Sequence, residues 1–208
     1  MSVYKTEQEE FWAGEFGDEY IERNIGEAAV ASNLYLFSKM LQRASKINSV
    51  LELGANIGLN LRALKSLLPE AELAAVEINQ KAVQTLQGWG KAEVYLESIF
   101  DFSPSRQWEF VFTSGVMIHL DPDMLPSVYD LMYRASSRYI GVIEYYNPTP
   151  VTIPYRGHDG KLFKRDFAGE LLDRFQDLSL VDYGFVYRRD PNFMQDDPNW
   201  FLLEKRGK

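Results

Sequence analysis

The chain has 208 residues, 46% hydrophobic and 25% charged, and its 22 Lys and Arg against 30 Asp and Glu give a net charge of −8. That length suits a single domain with a substantial core, and the acidic balance argues against a nucleic-acid phosphate backbone as partner. The lack of cysteine excludes disulfides and thiolate metal sites, and no apolar run is long enough to span a bilayer.

The N-terminus, MSVYKTEQEEFW, is acidic and lacks the basic-then-apolar order of a signal peptide. A cytoplasmic protein is therefore expected, with no membrane partner and no metal. Residues 1–30 carry eight acids and two bases, for which a solvated acidic helix is the plain reading. Residues 1–45 are expected to form a helical lid and residues 46–208 the core, within one domain spanning 1–208. From there the chain alternates. SVLELG (49–54) reads as a strand and LNLRALKSLL (59–68) as a helix stopped by Pro69. ELAAVEI (72–78) is the second strand, and NQKAVQTLQGW (79–89) a helix with Asn79 as N-cap. KAEVYLES (91–98) and FVFTSG (110–115) are further strands, followed by the helix LPSVYDLMYRAS (125–136) and the strand RYIGVIEYY (138–146). Strands alternating with helices at this spacing imply right-handed βαβ units and a parallel sheet with helices on both faces. The end differs: a helix, KRDFAGELLDRF (164–175), precedes LSLVDYGFVY (178–187) and NWFLLEK (199–205), two strands joined by a loop alone. They complete a mostly parallel seven-stranded sheet with an antiparallel C-terminal hairpin strand.

In an open parallel sheet, ligands bind beyond the carboxyl ends of the strands where the strand order reverses. VLELG would be the central strand and GANIG (54–58) its turn into the first helix. Gly54 allows a sharp turn, and Gly58 allows a ligand or the next helix to approach the backbone. The helix start offers free N–H groups. Glu52, near the strand's end, would reach the ligand crevice, since an unpartnered carboxylate in the core is costly. Aligned on Gly54, the dinucleotide pattern G-x-G-x-x-G would need glycines where Asn56 and Leu59 stand, which disfavours a nicotinamide-dependent oxidoreductase.

Glu52 to Gly58 instead resembles the first motif, E/D-x-G-x-x-x-G, of class I S-adenosylmethionine-dependent methyltransferases. The resemblance implies their Rossmann-like fold, S-adenosylmethionine as cofactor and methyl transfer to a small molecule. It extends to Glu77 with Ile78 at the end of the second strand, where an acid accepts the ribose hydroxyls, and to YLESIFDF (95–102), which looks like the loop around adenine. Ser98 stands there where the family usually has aspartate, beside Ile99 and Phe100. WEFVFTSGVMIHLDPDML (108–125), with Ser114 and His119, looks like the fourth motif. Outside the core, EFWAGEFGDEYIERN (10–24), IEYYNPTP (143–150) and PYRGHDGKLFKR (154–165) are similar to methylases associated with pseudaminic acid biosynthesis. That implies a sugar or nucleotide-sugar acceptor from nonulosonic acid metabolism.

The expected cofactor contacts are thus Glu52, Gly54, Asn56, Gly58, Glu77, Ile78, Ser98, Ile99, Phe100 and Ser114, with Tyr20, Arg23 and Asn24 from the lid. His119 is the expected base for a protonated nucleophile; a core histidine is the alternative. Tyr145 and Tyr146 leave the fifth strand at the same edge and are further catalytic candidates. Glu144, Arg156, His158, Lys164 and Arg165 are the expected acceptor contacts, the basic ones able to hold a carboxylate or phosphate; the amphipathic start of a helix explains the same cluster. A cofactor-binding module without catalysis is the rival from another class.

Overall fold

The computed structural model describes residues 4–23 and 26–206, Arg23 by its backbone alone. Three helices come first: α1 (Glu7–Ala13), α2 (Glu15–Arg23) and α3 (Glu27–Met40). Then β1 (Ser49–Leu53), α4 (Leu59–Leu67), β2 (Glu72–Glu77), α5 (Gln80–Trp89), β3 (Glu93–Leu96) and β4 (Trp108–Ser114) alternate. Short 3-10 turns over Met117–His119 and Pro122–Met124 lead to α6 (Leu125–Ala135) and β5 (Ser136–Glu144). A small ribbon of β6 (Val151–Thr152) and β7 (Phe163–Lys164) precedes α7 (Phe167–Arg174), β8 (Leu178–Phe185) and β9 (Asn199–Lys205).

The main sheet has the order β3-β2-β1-β4-β5-β9-β8. β9 runs antiparallel to both its neighbours, while β1 pairs in parallel with β2 and β4, and β4 with β5. The fold expected from the sequence is therefore present. Its central strands bury both faces, which is why they read as nearly unbroken apolar runs. One face packs Leu51, Leu53, Val76, Val111, Ile140 and Val142 with Val128, Leu131 and Met132 of α6. The other packs Val50, Ala75, Phe110 and Phe112 with Leu36, Phe37 and Met40 of α3 and Leu61 and Leu64 of α4. So α3, although it belongs to residues 1–45, is a core helix.

The chain ahead of α7 differs from the expectation. The helix foreseen over 164–175 starts at Phe167 because Asp166 caps it, its side chain accepting from Gly169 N. Residues 163 and 164 instead pair antiparallel with 151 and 152. The strand order reverses between β1 and β4, and above that point lies a cavity of about 290 Å³.

Candidate functional site

The floor of the cavity is the turn after β1. Gly54 (φ 77), Asn56 (φ 47) and Gly58 (φ 78) all take left-handed backbone, which suits glycine and is tolerated by asparagine. Gly54 N donates to Val76 O at 2.8 Å, tying the turn to β2. A Cβ on Gly54 would lie 2.5 Å from a Val116 methyl, so Val116 packs directly on the glycine. A Cβ on Gly58 would meet Leu86 of α5 at 2.2 Å, and Gly58 is absent from the cavity wall. Its role is helix packing, which corrects the expectation that it contacts a ligand.

Three carboxylates line the wall: Glu9, Glu52 and Glu77. Glu52 is fully buried, and Asn60 Nδ2 of α4 donates to its Oε1 at 2.7 Å. Burial holds its carboxyl well above the ordinary range, with Glu77 nearby adding repulsion. Glu77 accepts from Asn56 N at 2.7 Å on one oxygen and Asn79 N at 2.8 Å on the other. It is raised too, by burial, with those N–H groups opposing. Glu9 reaches across from α1. Its Oε1 accepts from the Ser98 hydroxyl, and its Oε2 takes Lys5 N and Thr6 N in a capping box.

Helices α1 and α2 roof the cavity through contacts spread around its rim. Lys5 Nζ donates to Phe100 O and Asp101, Asn79 Nδ2 donates to Asp18 at 2.9 Å, and Lys81 pairs with Asp18. On the far side Gln8 donates to Gly160 O and Lys161 pairs with Glu7. Trp12 lines the cavity under this roof.

His119 follows β4 on the 3-10 turn and is 7% exposed. Its Nδ1 lies 2.6 Å from Lys161 O, so Nδ1–H donates there and Nε2 is left as an acceptor. The ring packs on Trp12 and Tyr155 at 4.8 and 4.7 Å between centroids. Burial brings its pKa down to about 4, against the carbonyl contact that raises it. The imidazole is neutral at physiological pH.

Of the residues expected to hold a cofactor, Glu52, Gly54, Asn56, Glu77, Ile78, Ser98, Ile99, Phe100, Ser114 and Tyr20 all line this one cavity. The Arg23 side chain and Asn24 lie outside the described residues. The expected acceptor contacts do not gather there. Glu144 is 2% exposed and accepts from Val116, Met117 and Ile118 N–H groups, so it faces the inside of the turn. Tyr145 donates to Asp196 at 2.6 Å, and Tyr146 packs on Phe201. Arg156 lies over the Tyr155 ring and His158 against Phe11 and Phe16. Lys164 covers Tyr145, and Arg165 pairs with Glu170 at 2.6 Å. None of these seven is on the cavity wall. The basic residues are dense in sequence but point to separate partners.

Sequence reasoning missed Glu9, Trp12, Asn33, Asn60, Asn79 and Val116 as wall residues. Only two carried a signal: Thr6 and Glu9 have capping-box spacing, and Asn79 reads as an N-cap. Three buried polar atoms on wall residues have no partner in the protein: Trp12 Nε1, Glu52 Oε2 and Asn56 Oδ1. Unpaired buried groups are costly and call for an explanation.

No protein-family model and no curated protein sequence matches the chain. Solved structures do match. The magnesium protoporphyrin IX methyltransferase of Synechocystis, crystallised with S-adenosylhomocysteine, superposes with a TM-score of 0.70 at 11% identity, over 95% of this chain and 97% of that one. The 1,6-didemethyltoxoflavin-N1-methyltransferase of Burkholderia thailandensis, bound to its substrate and S-adenosylhomocysteine, gives 0.68 at 14% identity over 96% and 87%. The plantazolicin methyltransferase BpumL with S-adenosylhomocysteine gives 0.65 at 12% over 96% and 94%. The chain has the Rossmann-like fold of class I S-adenosylmethionine-dependent methyltransferases. Among the described residues no helix is long and apolar enough to cross a membrane, and no cluster of His, Asp and Glu could hold a metal ion.

Proposed function

We propose that the protein is an S-adenosylmethionine-dependent methyltransferase acting on a small molecule. The observation that carries this reading is the set of unpartnered atoms on the wall of a cavity at the sheet's reversal point. Glu52 Oε2 and Asn56 Oδ1 are acceptors, and Trp12 Nε1 is a donor. The amino-acid end of S-adenosylmethionine presents the complement in kind, an ammonium and a carboxylate. Every charged side chain among the described wall residues is a carboxylate, Glu9, Glu52 and Glu77, which suits a ligand bearing a sulfonium and an ammonium. The residues present therefore fit the cofactor.

Glu52, Asn56 and Trp12 would hold the amino-acid end. Glu77 would accept the ribose hydroxyls on the lone pairs that Asn56 N and Asn79 N leave over. Ser98, Ile99 and Phe100 would flank the base. When bound, the cofactor supplies an electrophilic methyl on sulfur, displaced in line by the acceptor. The protein's part is to orient the acceptor and manage its proton. His119 is suited to accept a hydrogen bond from a hydroxyl or N–H at Nε2, because Nδ1 is tied to Lys161 O. With a pKa near 4 it is a weak base, so we assign it mainly to orientation, with the proton passing onward to water. The chain is read as one catalytic domain with α1 and α2 as a lid.

A nonulosonic-acid intermediate remains the acceptor suggested by the motifs at 10–24, 143–150 and 154–165. It gains no support from Arg156, Lys164 and Arg165, which are engaged away from the cavity, so the acceptor is carried forward only as a small polar molecule.

Calorimetry with S-adenosylmethionine, S-adenosylhomocysteine and NAD tests the reading directly. Binding of the first two and not the third is expected; NAD binding alone would return the site to an oxidoreductase. Turnover to S-adenosylhomocysteine across a panel of sugar, phenol and N-heterocycle acceptors then separates an enzyme from a binding module.

A further inference from the structure

Glu144, the last residue of β5, directs its two oxygens away from the cavity. Along β5 the side chains of Ile140 and Val142 point into the core beside α6, and by strand alternation Glu144 takes the next position on that face. A carboxylate there is costly unless satisfied. What satisfies it is the chain leaving β4. Gly115 (φ 65) donates its N–H to Ile143 O at 2.9 Å and turns the chain back over the end of β5. Three consecutive N–H groups then converge on the carboxylate, Val116 and Met117 on Oε1, each at 3.1 Å, and Ile118 on Oε2 at 3.3 Å. These are the open donors at the start of a 3-10 turn, capped here by an acid from another strand.

The opposite side of that turn is the cavity. Val116 rests on Gly54, and His119 closes the turn with its ring on the wall. One carboxylate thus fixes the residue that packs on the glycine turn and the residue that faces the acceptor. The titratable group facing Glu144 from α6 is Tyr129, whose hydroxyl donates to Glu170 of α7 at 2.6 Å. Arg165 pairs with that same Glu170 rather than with Glu144.

We propose that Glu144 is the positioning residue of this site: by accepting the Val116, Met117 and Ile118 N–H groups it sets the place of Val116 and the fixed orientation of His119. A carboxylate is required because an amide has one acceptor oxygen and would turn an N–H toward an N–H. What the cavity binds is taken from the functional reading above; the hold on the turn is not.

The test is Glu144→Gln, with Glu144→Asp as the second variant. The chain has two histidines, His119 and the exposed His158, so imidazole NMR resolves each, and His158 serves as internal control. In the wild type His119 should titrate near 4. In Glu144→Gln the loosened turn should admit water, and His119 should titrate higher by about one pH unit or more, toward its ordinary value, with His158 unmoved. Affinity for S-adenosylhomocysteine should fall ~10-fold through Val116, the effect of losing a charge-assisted hydrogen bond. Glu144→Asp, which keeps the carboxyl group but shortens the reach, should move both readouts the same way by less. It decides the matter if Glu144→Gln does not fold. His119 titrating as in the wild type in a folded variant, with ligand affinity unchanged, would overturn the proposal. The histidine spectrum needs no cofactor, so a wild-type protein that fails to bind S-adenosylhomocysteine would strike the functional reading alone.

Discussion

The Nδ1 of His119 sits 2.6 Å from the carbonyl oxygen of Lys161, a contact that joins the turn after β4 to the loop ahead of β7. It settles which ring nitrogen carries the proton and leaves Nε2 as the acceptor nitrogen of a ring on the cavity wall. Because burial depresses this imidazole to about 4, the acid limb of the rate profile is expected near pH 4, rather than near the ordinary ~6.5. His119→Ala should lower the methyl-transfer rate ~10- to 100-fold and leave S-adenosylhomocysteine affinity within a few-fold. The unfolded chain binds the proton more readily, so this histidine favours the fold above ~6.5 and loses that contribution as pH falls toward 4. The full span is roughly 3 kcal/mol. Melting curves of wild type and His119→Gln from pH 4 to 7 should converge at the acid end; parallel curves would refute the buried neutral ring.

Glu77 braces two backbone N–H groups, of Asn56 and Asn79, as well as facing the cavity. Glu77→Ala should therefore weaken S-adenosylmethionine binding by about 1.5–3 kcal/mol and also lower the ligand-free melting temperature, because two N–H groups lose their acceptor. Calorimetry and a thermal melt on the same sample check both. A sequence view of Glu77 as a ligand contact alone predicts no change in the melt.

The two glycines of the turn should separate. Gly54→Ala forces a methyl into Val116 at a positive φ, and S-adenosylhomocysteine binding should fall at least ~10-fold. Gly58→Ala drives its methyl into Leu86 and should cost stability, about 1–3 kcal/mol for strain and overpacking, with binding retained in the folded fraction. Equal loss of binding in both would mean that Gly58 faces the ligand after all.

Trp12 offers an indole N–H without a partner. Trp12→Phe keeps a ring and deletes the donor. It should leave the ligand-free melt nearly unchanged, since no bond is lost, and reduce affinity for S-adenosylmethionine ~10- to 150-fold, the range for one hydrogen bond to a charged group. Unaltered affinity by calorimetry would take the indole out of the cofactor site.

The elements were legible because their signals are local. Continuous apolar runs mark the doubly covered strands β1, β4 and β5, and the glycines of GANIG mark the turn. The cavity floor followed from them. What failed was direction. A position at the end of β5 indicates the correct edge of the sheet, yet strand alternation aims Glu144 under the 116–118 turn and away from a ligand. The basic residues of 156–165 form a cluster only in sequence, because their partners, Tyr145 and Glu170 among them, come from different elements. That Glu9 and Trp12 stand on the cavity wall was hidden for a related reason. They reach the site through the packing of α1 over residues 98–101 and 158–161, contacts between segments about 90 and 150 residues apart that no periodicity encodes.

The roof over the cavity is fastened by ion pairs that each have at least one solvent-exposed member: Lys5 to Asp101, Lys81 to Asp18, Lys161 to Glu7. Such pairs weaken as added salt shortens the Debye length from about 10 Å at 0.1 M to about 3 Å at 1 M. A molecule enclosed beneath α1 and α2 should then depart at a rate that climbs with ionic strength, while the strands that hold it from below are indifferent to salt. Residence time on this protein would be a property of the buffer as much as of the ligand.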